Sequence, residues 1–251
     1  MDFVDKHSIV RKIWGNTDVV LFIFAGAAAE FSLNKAVDWL YFTGKLPKDP
    51  LGRLFSTVAY AQKIVFSTLA EANAAIDQIT MIHQHVEAGR SAKIPDWAYR
   101  DVLFMLIDYS IRAFEVLERK LTLTEKEEIF ATFYRVGHRM EINGLPIDFA
   151  AWQMMHEQQL QENLIYSCFS HDLYDQYKKH LGSLRYSLMR KIQALIVPFK
   201  VNELLKLGEG KPIKPILTLY KLSRKLNMNK PLRNLILPAT YKAQILSLET
   251  F

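Results

Sequence analysis

Arg53 and Thr57 are the first residues in this sequence whose types and spacing suggest chemistry. They lie four residues apart in a segment with helical character, so their side chains share one helix face beside Ser56. An arginine next to a hydroxyl suits an anionic partner, either a carboxylate or a bound oxygen species. The other interpretation is a salt bridge from Arg53 to an acid on a neighbouring helix. Candidate acids in largely apolar surroundings are Glu30, Asp38, Asp101 and Asp108.

His83 is the second candidate. It lies three to four residues from Ile79 and Val86, so it shares their core-facing stripe. One nitrogen of a neutral imidazole can ligate iron while the other donates to a carbonyl. The residue pattern alone favours the other interpretation, a hydrogen-bonded core histidine. His85 lies on another side of the same helix and is predicted to face solvent.

Other catalytic templates are missing from the sequence. It has no G-x-S-x-G elbow, no P-loop, no G-x-G-x-x-G and no Glu-x-x-His signature of di-iron bundles. No His/Cys spacing indicates zinc, and His156-Glu157 is not followed by a second histidine at the required distance. The only cysteine, Cys168, excludes an intrachain disulfide and is predicted to be a small core hydrophobe.

Composition and charge narrow the class of protein. Half of the 251 residues are apolar, enough for a substantial core. No secretory signal is recognised, and the longest apolar run, from Val19 to Ala29, is shorter than the roughly 20 residues of a membrane span. A reducing, cytoplasmic location is therefore expected.

Basic residues concentrate at the end of the chain. From Lys178 onward there are 15 Lys and Arg against three acids, whereas the rest has 17 against 23. This asymmetry indicates either a solvated basic face or peripheral association with an anionic membrane surface. Amphipathic stretches such as Pro215–Leu222 would suit packing on the body or lying on a membrane. No nucleic-acid-binding motif accompanies these residues, so no nucleic-acid partner is expected.

Helical periodicity dominates and predicts an all-α fold. Residues 1–200 are predicted to form one helical domain, and 201–251 a basic helical extension packed on it, with Lys206–Lys214 as the only hinge. The first long helix is predicted from an Asp18 cap to about Phe31, a second ends near Tyr41, and a third begins near Gly52. Further helices are predicted over 70–88, from Pro95 to about Lys120, from a Thr124–Glu127 capping box, and over 148–164 and 171–197.

The order of several motifs resembles the oxygenase family that contains latex clearing protein (rubber oxygenase) and the fungal oxygenase MpaB. The resemblance covers roughly residues 18–200. The matching motifs are Asp49-Pro50-Leu51-Gly52-Arg53-Leu54-x-x-Thr57, Val65-Phe66, Ile82-His83-x-x-Val86, Val102, Asp108, Leu121-Thr122-x-x-Glu125, Tyr134-Arg135-x-Gly137 and Leu145-Pro146.

This resemblance implies a globin-like helical fold that carries haem b and uses dioxygen on an apolar substrate, with oxidative cleavage of a carbon–carbon double bond as one reaction. His83 matches the axial iron ligand. Arg53 and Thr57 match an Arg-x-x-Lys-Thr motif on the oxygen side of the iron. There Arg53 would stabilise negative charge or pair with a haem propionate, and Thr57 would donate a hydrogen bond.

The sequence departs from the family pattern at two positions. Ser56 stands where the motif has lysine, and Leu103 stands where many members have histidine. The family's base glutamate has no assigned counterpart, with Glu30 and Asp38 the nearest acids upstream of Arg53. The rival hypothesis is a non-enzymatic helical protein in which the same residues form a structural polar network and the basic tail binds lipid.

Overall fold

The computed structural model describes residues 1–44 and 48–209, together with residues 215, 217, 218, 220 and 221, and the side chain of Leu54 is left aside. The described part is an all-α single domain without a strand, which confirms the predicted fold class. Its helices with described bounds are α1 Ile9–Trp14, α2 Thr17–Leu33, α3 Val37–Phe42, α4 Pro50–Phe66, α5 Leu69–Arg90, α6 Asp96–Leu117, α7 Leu123–Arg139, α8 Phe149–Glu162, α9 Cys168–Ile196 and α10 Phe199–Leu205.

Three helix starts show how short-range geometry selects the cap. Asn16 caps α2 with its side chain, so the prediction of Asp18 was wrong; Asp18 instead accepts a 2.8 Å hydrogen bond from the Tyr220 hydroxyl. The capping box of α7 is formed by Thr122 and Glu125, two residues before the predicted Thr124–Glu127. Asp49 caps α4 by accepting from the Gly52 amide at 2.9 Å. Each cap satisfies amides that the first helical turn leaves free.

The later helices agree with the prediction in outline. Gly182, with φ of +73°, divides α9 into two helical pieces, and Pro198 separates α9 from α10. Arg190 donates to the carbonyl oxygens of Leu205 and Lys206, which holds the end of α10 against α9. Most of the predicted basic extension, including residues 222–251, lies outside the described residues, so its packing stays a prediction. Cys168 is exposed, and the prediction of a core position was wrong.

The centre of the fold is α2, which packs mainly against α6 and α9. A Cβ placed on Gly26 would lie 2.2 Å from a ring carbon of Tyr109, so α2 and α6 approach as closely as glycine allows. This approach brings the Tyr109 hydroxyl within 2.8 Å of the Glu30 carboxylate, one turn further along α2. Both side chains are fully buried. Gly26 is therefore needed for the contact that joins these two helices.

A buried polar network extends from this contact. Gln159 on α8 donates to Glu30 at 3.3 Å, and its amide oxygen lies 3.2 Å from His156 Nδ1. The other His156 nitrogen, Nε2, lies 3.5 Å from Asp108, which also accepts from Arg112. The network thus links α2, α6 and α8 through alternating acidic and basic groups in the core.

Burial acts on the network's charges in opposite ways. Burial raises the pKa of Glu30 to about 7, against the attraction of His156. Burial alone would disfavour protonated His156, but the hydrogen bond and charge of Asp108 outweigh it and raise the pKa of His156 to about 9. Asp108 has a lowered pKa because His156 and Arg112 outweigh its own burial. At neutral pH, His156 is therefore a cation held by its neighbours.

We expect Gly26→Ala to lower the free energy of unfolding by about 2 kcal/mol or more, since a methyl group has no room against Tyr109. Urea denaturation measures this change. Gly89→Ala on α5 is the matched control, because its Cβ would meet nothing within 4 Å. Alanine there should leave stability unchanged or raise it by up to roughly 1 kcal/mol. Equal effects at the two sites would contradict the close approach.

The free energy of unfolding should fall as pH rises from 4.5 to about 9, the range over which Glu30 and His156 titrate. His156 has a folded pKa raised above its ordinary 6.5, so its contribution is complete below 6.5 and is lost as pH rises to about 9. That loss is of the order of 3 kcal/mol. Glu30 adds a fall of the same sign between 4.5 and about 7.

Urea denaturation at several pH values tests this dependence. His156→Gln should flatten the fall between pH 6.5 and 9, and Glu30→Gln should flatten it between pH 4.5 and 7. His85→Gln changes an exposed histidine and should keep the wild-type slope. A His156→Gln variant with the wild-type slope would show that His156 is not charged in the core.

Candidate functional site

Helix α4 begins in the Asp49–Arg53 segment, and each residue type at its start has a local structural role. The Asp49 carboxylate folds over the start of α4, and a Cβ on Gly52 would lie 2.1 Å from its oxygen. Pro50 occupies the first turn, where a missing amide hydrogen costs nothing. This tight start fixes the position of Arg53, which follows in the first turn of α4.

Arg53 is partly buried and has no acidic partner among the described residues. Its Nη1 lies 3.5 Å from Ser56 Oγ, at the limit of a hydrogen bond. Burial lowers its pKa, although a guanidinium stays charged at neutral pH. The predicted alternative of a salt bridge was wrong for all four candidate acids. Glu30 binds Tyr109 and Gln159, Asp38 binds Arg90, Asp101 binds Asn34 and Asn163, and Asp108 binds Arg112.

The two hydroxyls beside Arg53 point back to their own helix. Ser56 and Thr57 each donate to the Arg53 carbonyl oxygen, at 2.8 and 3.2 Å. Thr57 can therefore donate to a ligand only by leaving this bond, whereas Arg53 already has free hydrogens. Ser56 places no second positive charge where the family motif has lysine.

His83 lies on α5, which packs against α4. Its Nδ1 atom is buried without a hydrogen-bond partner, so it is not the satisfied core histidine that the residue pattern favoured. Burial, together with the positive charge of Arg53, lowers the pKa of His83 to about 4, while Glu87 opposes them. The imidazole is therefore neutral at pH 7, the form that ligates iron. His85 is exposed, as predicted.

The structure brings Arg53 close enough to His83 for the guanidinium charge to lower the pKa of the imidazole. Neither side chain has an ion-pair partner in the described part of the chain. A partly buried cation without an acidic partner, beside an imidazole with an unsatisfied buried nitrogen, is costly in a folded protein. Such groups are typical of binding and catalytic sites, where a ligand completes the missing interactions.

The end of α5 and helix α3 contribute further polar and aromatic groups next to each other. Arg90, two turns after His83, donates to Asp38 at 2.8 Å and lies 4.2 Å from the centre of the Trp39 ring. Its Nη1 atom is buried without a hydrogen-bond partner. Asp38 is thus the candidate base nearer to this region, whereas Glu30 is enclosed in the core network.

The second departure from the motif has a packing reason. Leu103 on α6 is buried and packs towards Gly137 on α7, where a Cβ would lie 2.8 Å from its methyl carbon. The residue at position 103 therefore serves the α6–α7 contact in this protein.

Sequence reasoning did not find the His156 network. His156 was considered only as a metal ligand, although its spacing to Gln159 and that of Asp108 to Arg112 place each pair on one helix face. Within the described residues, no group of three His, Cys, Asp or Glu side chains could hold a bare metal ion. No described helix is long and apolar enough to cross a membrane.

Fold and site together define an all-α protein with a neutral histidine and, on the adjacent helix, an arginine that has no acidic partner among the described residues. A family model, described as the catalytic domain of ER-bound oxygenase mpaB/B' and rubber oxygenase, matches residues 11–223. The chain therefore belongs to this family of oxygenase catalytic domains, as the motif order predicted. No curated protein matches the chain closely enough to count as a relative.

Replacing Arg53 by methionine should not cost the several kcal/mol of a broken buried ion pair, because Arg53 has no acid to leave behind. We expect an unchanged or higher free energy of unfolding in urea. Arg112→Met is the matched comparison, since it removes a partner of buried Asp108 and should cost about 2 kcal/mol. A large loss in Arg53→Met would reveal a structural role for this arginine.

Proposed function

We propose that this chain is a haem b-dependent oxygenase that uses dioxygen on an apolar substrate. The observation that carries the proposal is the neutral His83 imidazole, whose buried Nδ1 has no partner in the described structure, beside the Arg53 guanidinium, which no described acid pairs. Membership of an oxygenase family supports the reaction class. The haem and the type of substrate rest on the site residues and on the motif match.

The residues present fit a b-type haem in charge and chemistry. His83 would supply an imidazole ligand to the iron, because it is neutral and no hydrogen bond within the described chain holds its ring. The haem, when bound, supplies the iron chemistry that activates dioxygen. The protein supplies binding, orientation and polarity.

Two arginines offer hydrogen-bond donors for negative charge in this region. Arg53 would stabilise charge that develops on the oxygen substrate, or it would bind a haem carboxylate. Arg90 has a spare donor at Nη1, and its contact with Trp39 restricts where the guanidinium can lie. Arg90 would therefore hold a carboxylate if Arg53 faces oxygen.

Thr57 would assist by reorienting its hydroxyl. The bond from Thr57 Oγ1 to the Arg53 carbonyl is 3.2 Å long, so exchanging it for a bond to a ligand costs little. Ser56 cannot provide the charge of a lysine, and Arg53 would act as the single cation of this motif. An apolar alkene is the substrate class that we propose, with oxidative cleavage of its double bond as the reaction.

The test is binding of haemin to the purified protein. The wild type should take up one equivalent and show a Soret band, and His83→Ala should weaken binding by about tenfold or more, because the axial bond is lost. His85→Ala, two residues away and exposed, should bind as the wild type does. A wild-type protein that takes up no haemin, or equal affinities in all three proteins, would overturn the haem proposal.

One observation favours the alternative hypothesis of a lipid-binding structural protein. A buried polar network does exist, but it is formed by Glu30, Tyr109, Gln159, His156 and Asp108 and does not include Arg53 or His83. The basic tail that would bind an anionic surface lies mostly outside the described residues. Flotation with anionic liposomes at low salt tests that function separately from haem binding.

A further inference from the structure

The turn between α5 and α6 is organised around one carboxylate. Glu87, one helical turn after His83, is buried and accepts from Lys93 Nζ at 3.0 Å and from the Ile94 amide at 2.9 Å. Ser91 adopts φ of +53° to reverse the chain at the end of α5. Glu87 therefore binds the segment that follows its own helix and draws the start of α6 towards α5.

Tyr99 is the third partner of Glu87. Its hydroxyl donates to Glu87 Oε1 at 3.2 Å, and its ring meets the His83 ring edge-on, with centroids 5.1 Å apart and an angle of 72°. His83 and Glu87 lie on the same face of α5, because they are four residues apart. Glu87 thus holds Tyr99 by a hydrogen bond, and Tyr99 in turn packs edge-on against the imidazole of His83.

This contact replaces an interaction that an iron-ligating histidine normally has. Such a histidine usually donates its second N–H to a carbonyl or carboxylate, which fixes the ring orientation. In the described part of the structure, no hydrogen bond holds the His83 ring at either nitrogen, so whichever nitrogen binds iron, the other lacks this support. Packing against Tyr99 is then what restricts the rotation of the imidazole.

We propose that Tyr99 and Glu87 are positioning residues of the haem site, which orient His83 by ring packing in place of a direct hydrogen bond. The proposal rests on the proposed function, since it assigns His83 to the iron. Glu87 also places negative charge near the imidazole, which favours the more positive oxidation state of an iron that His83 binds. A merely structural role for the turn would affect folding but not the iron potential.

Three variants separate these contributions in haemin-loaded protein. Tyr99→Leu removes the ring edge and should speed transfer of haem to an excess of apo-globin by about tenfold or more. Tyr99→Phe keeps the edge but loses the bond to Glu87, and it should show a smaller increase. Glu87→Gln keeps an acceptor for Tyr99 but loses the charge, and it should raise the Fe(III)/Fe(II) midpoint potential while changing haem transfer less than Tyr99→Leu.

Tyr166→Leu is the matched control, because Tyr166 also lies beside a histidine, His171, but on the surface. It should keep the wild-type transfer rate and potential. Wild-type values for both Tyr99→Leu and Glu87→Gln, in a protein that does bind haemin, would overturn this inference and leave the proposed function intact. A wild type that binds no haemin would overturn both. If Tyr99→Leu does not fold, Tyr99→Phe and the potential of Glu87→Gln still decide.

Discussion

The contact of Tyr109 with Gly26 is the constraint on which the packing of the helical domain depends. A tyrosine ring can lie against α2 only where that helix lacks a side chain, and this approach delivers the phenol to Glu30. A buried carboxyl group needs such donors, because an unsatisfied one would cost more than most single contacts contribute. Gln159 provides the second donor from α8. One acid thereby sets the relative positions of α2, α6 and α8, with α9 completing the enclosure of α2.

Polar groups in this protein fall into two classes that differ in satisfaction. In the core network every acid has a donor, and the His156 cation, whose Nε2 makes no close hydrogen bond, is balanced by the charge of Asp108 at 3.5 Å. Around Arg53 and His83 less is satisfied, since the described residues give Arg53 no acidic partner, the buried Nδ1 of His83 has no hydrogen-bond partner, and Glu87 acts on the imidazole only through its charge. The first arrangement stabilises the fold by itself. The second costs free energy that the rest of the fold must supply, and a ligand that binds there would stabilise the folded state.

The sequence predicted most of the helices, because proline, glycine and apolar periodicity act locally and are visible in one dimension. Caps were predicted less well. Asn16 and Thr122 win over Asp18 and Thr124 through backbone dihedral angles, which residue type alone does not determine. The core network was out of reach for a different reason. That Glu30, Asp101 and Asp108 lie in apolar surroundings is evident from the sequence, but their partners lie between 48 positions (Asp108 to His156) and 129 positions (Glu30 to Gln159) away, or on their own helix.

The candidate site residues were predicted from the sequence, whereas their protonation and their hydrogen-bond partners follow only from the structure. The Arg53–Thr57 spacing predicted a shared helix face, but only the packing shows that Arg53 lacks an acid and that both hydroxyls bond backward to α4. Ser56 in place of lysine then has a definite physical consequence. A lysine would add a second positive charge near a neutral His83 and would lower the pKa of the imidazole further. With serine the site keeps one unpaired guanidinium, so a ligand that brings one negative group beside Arg53 can neutralise it completely.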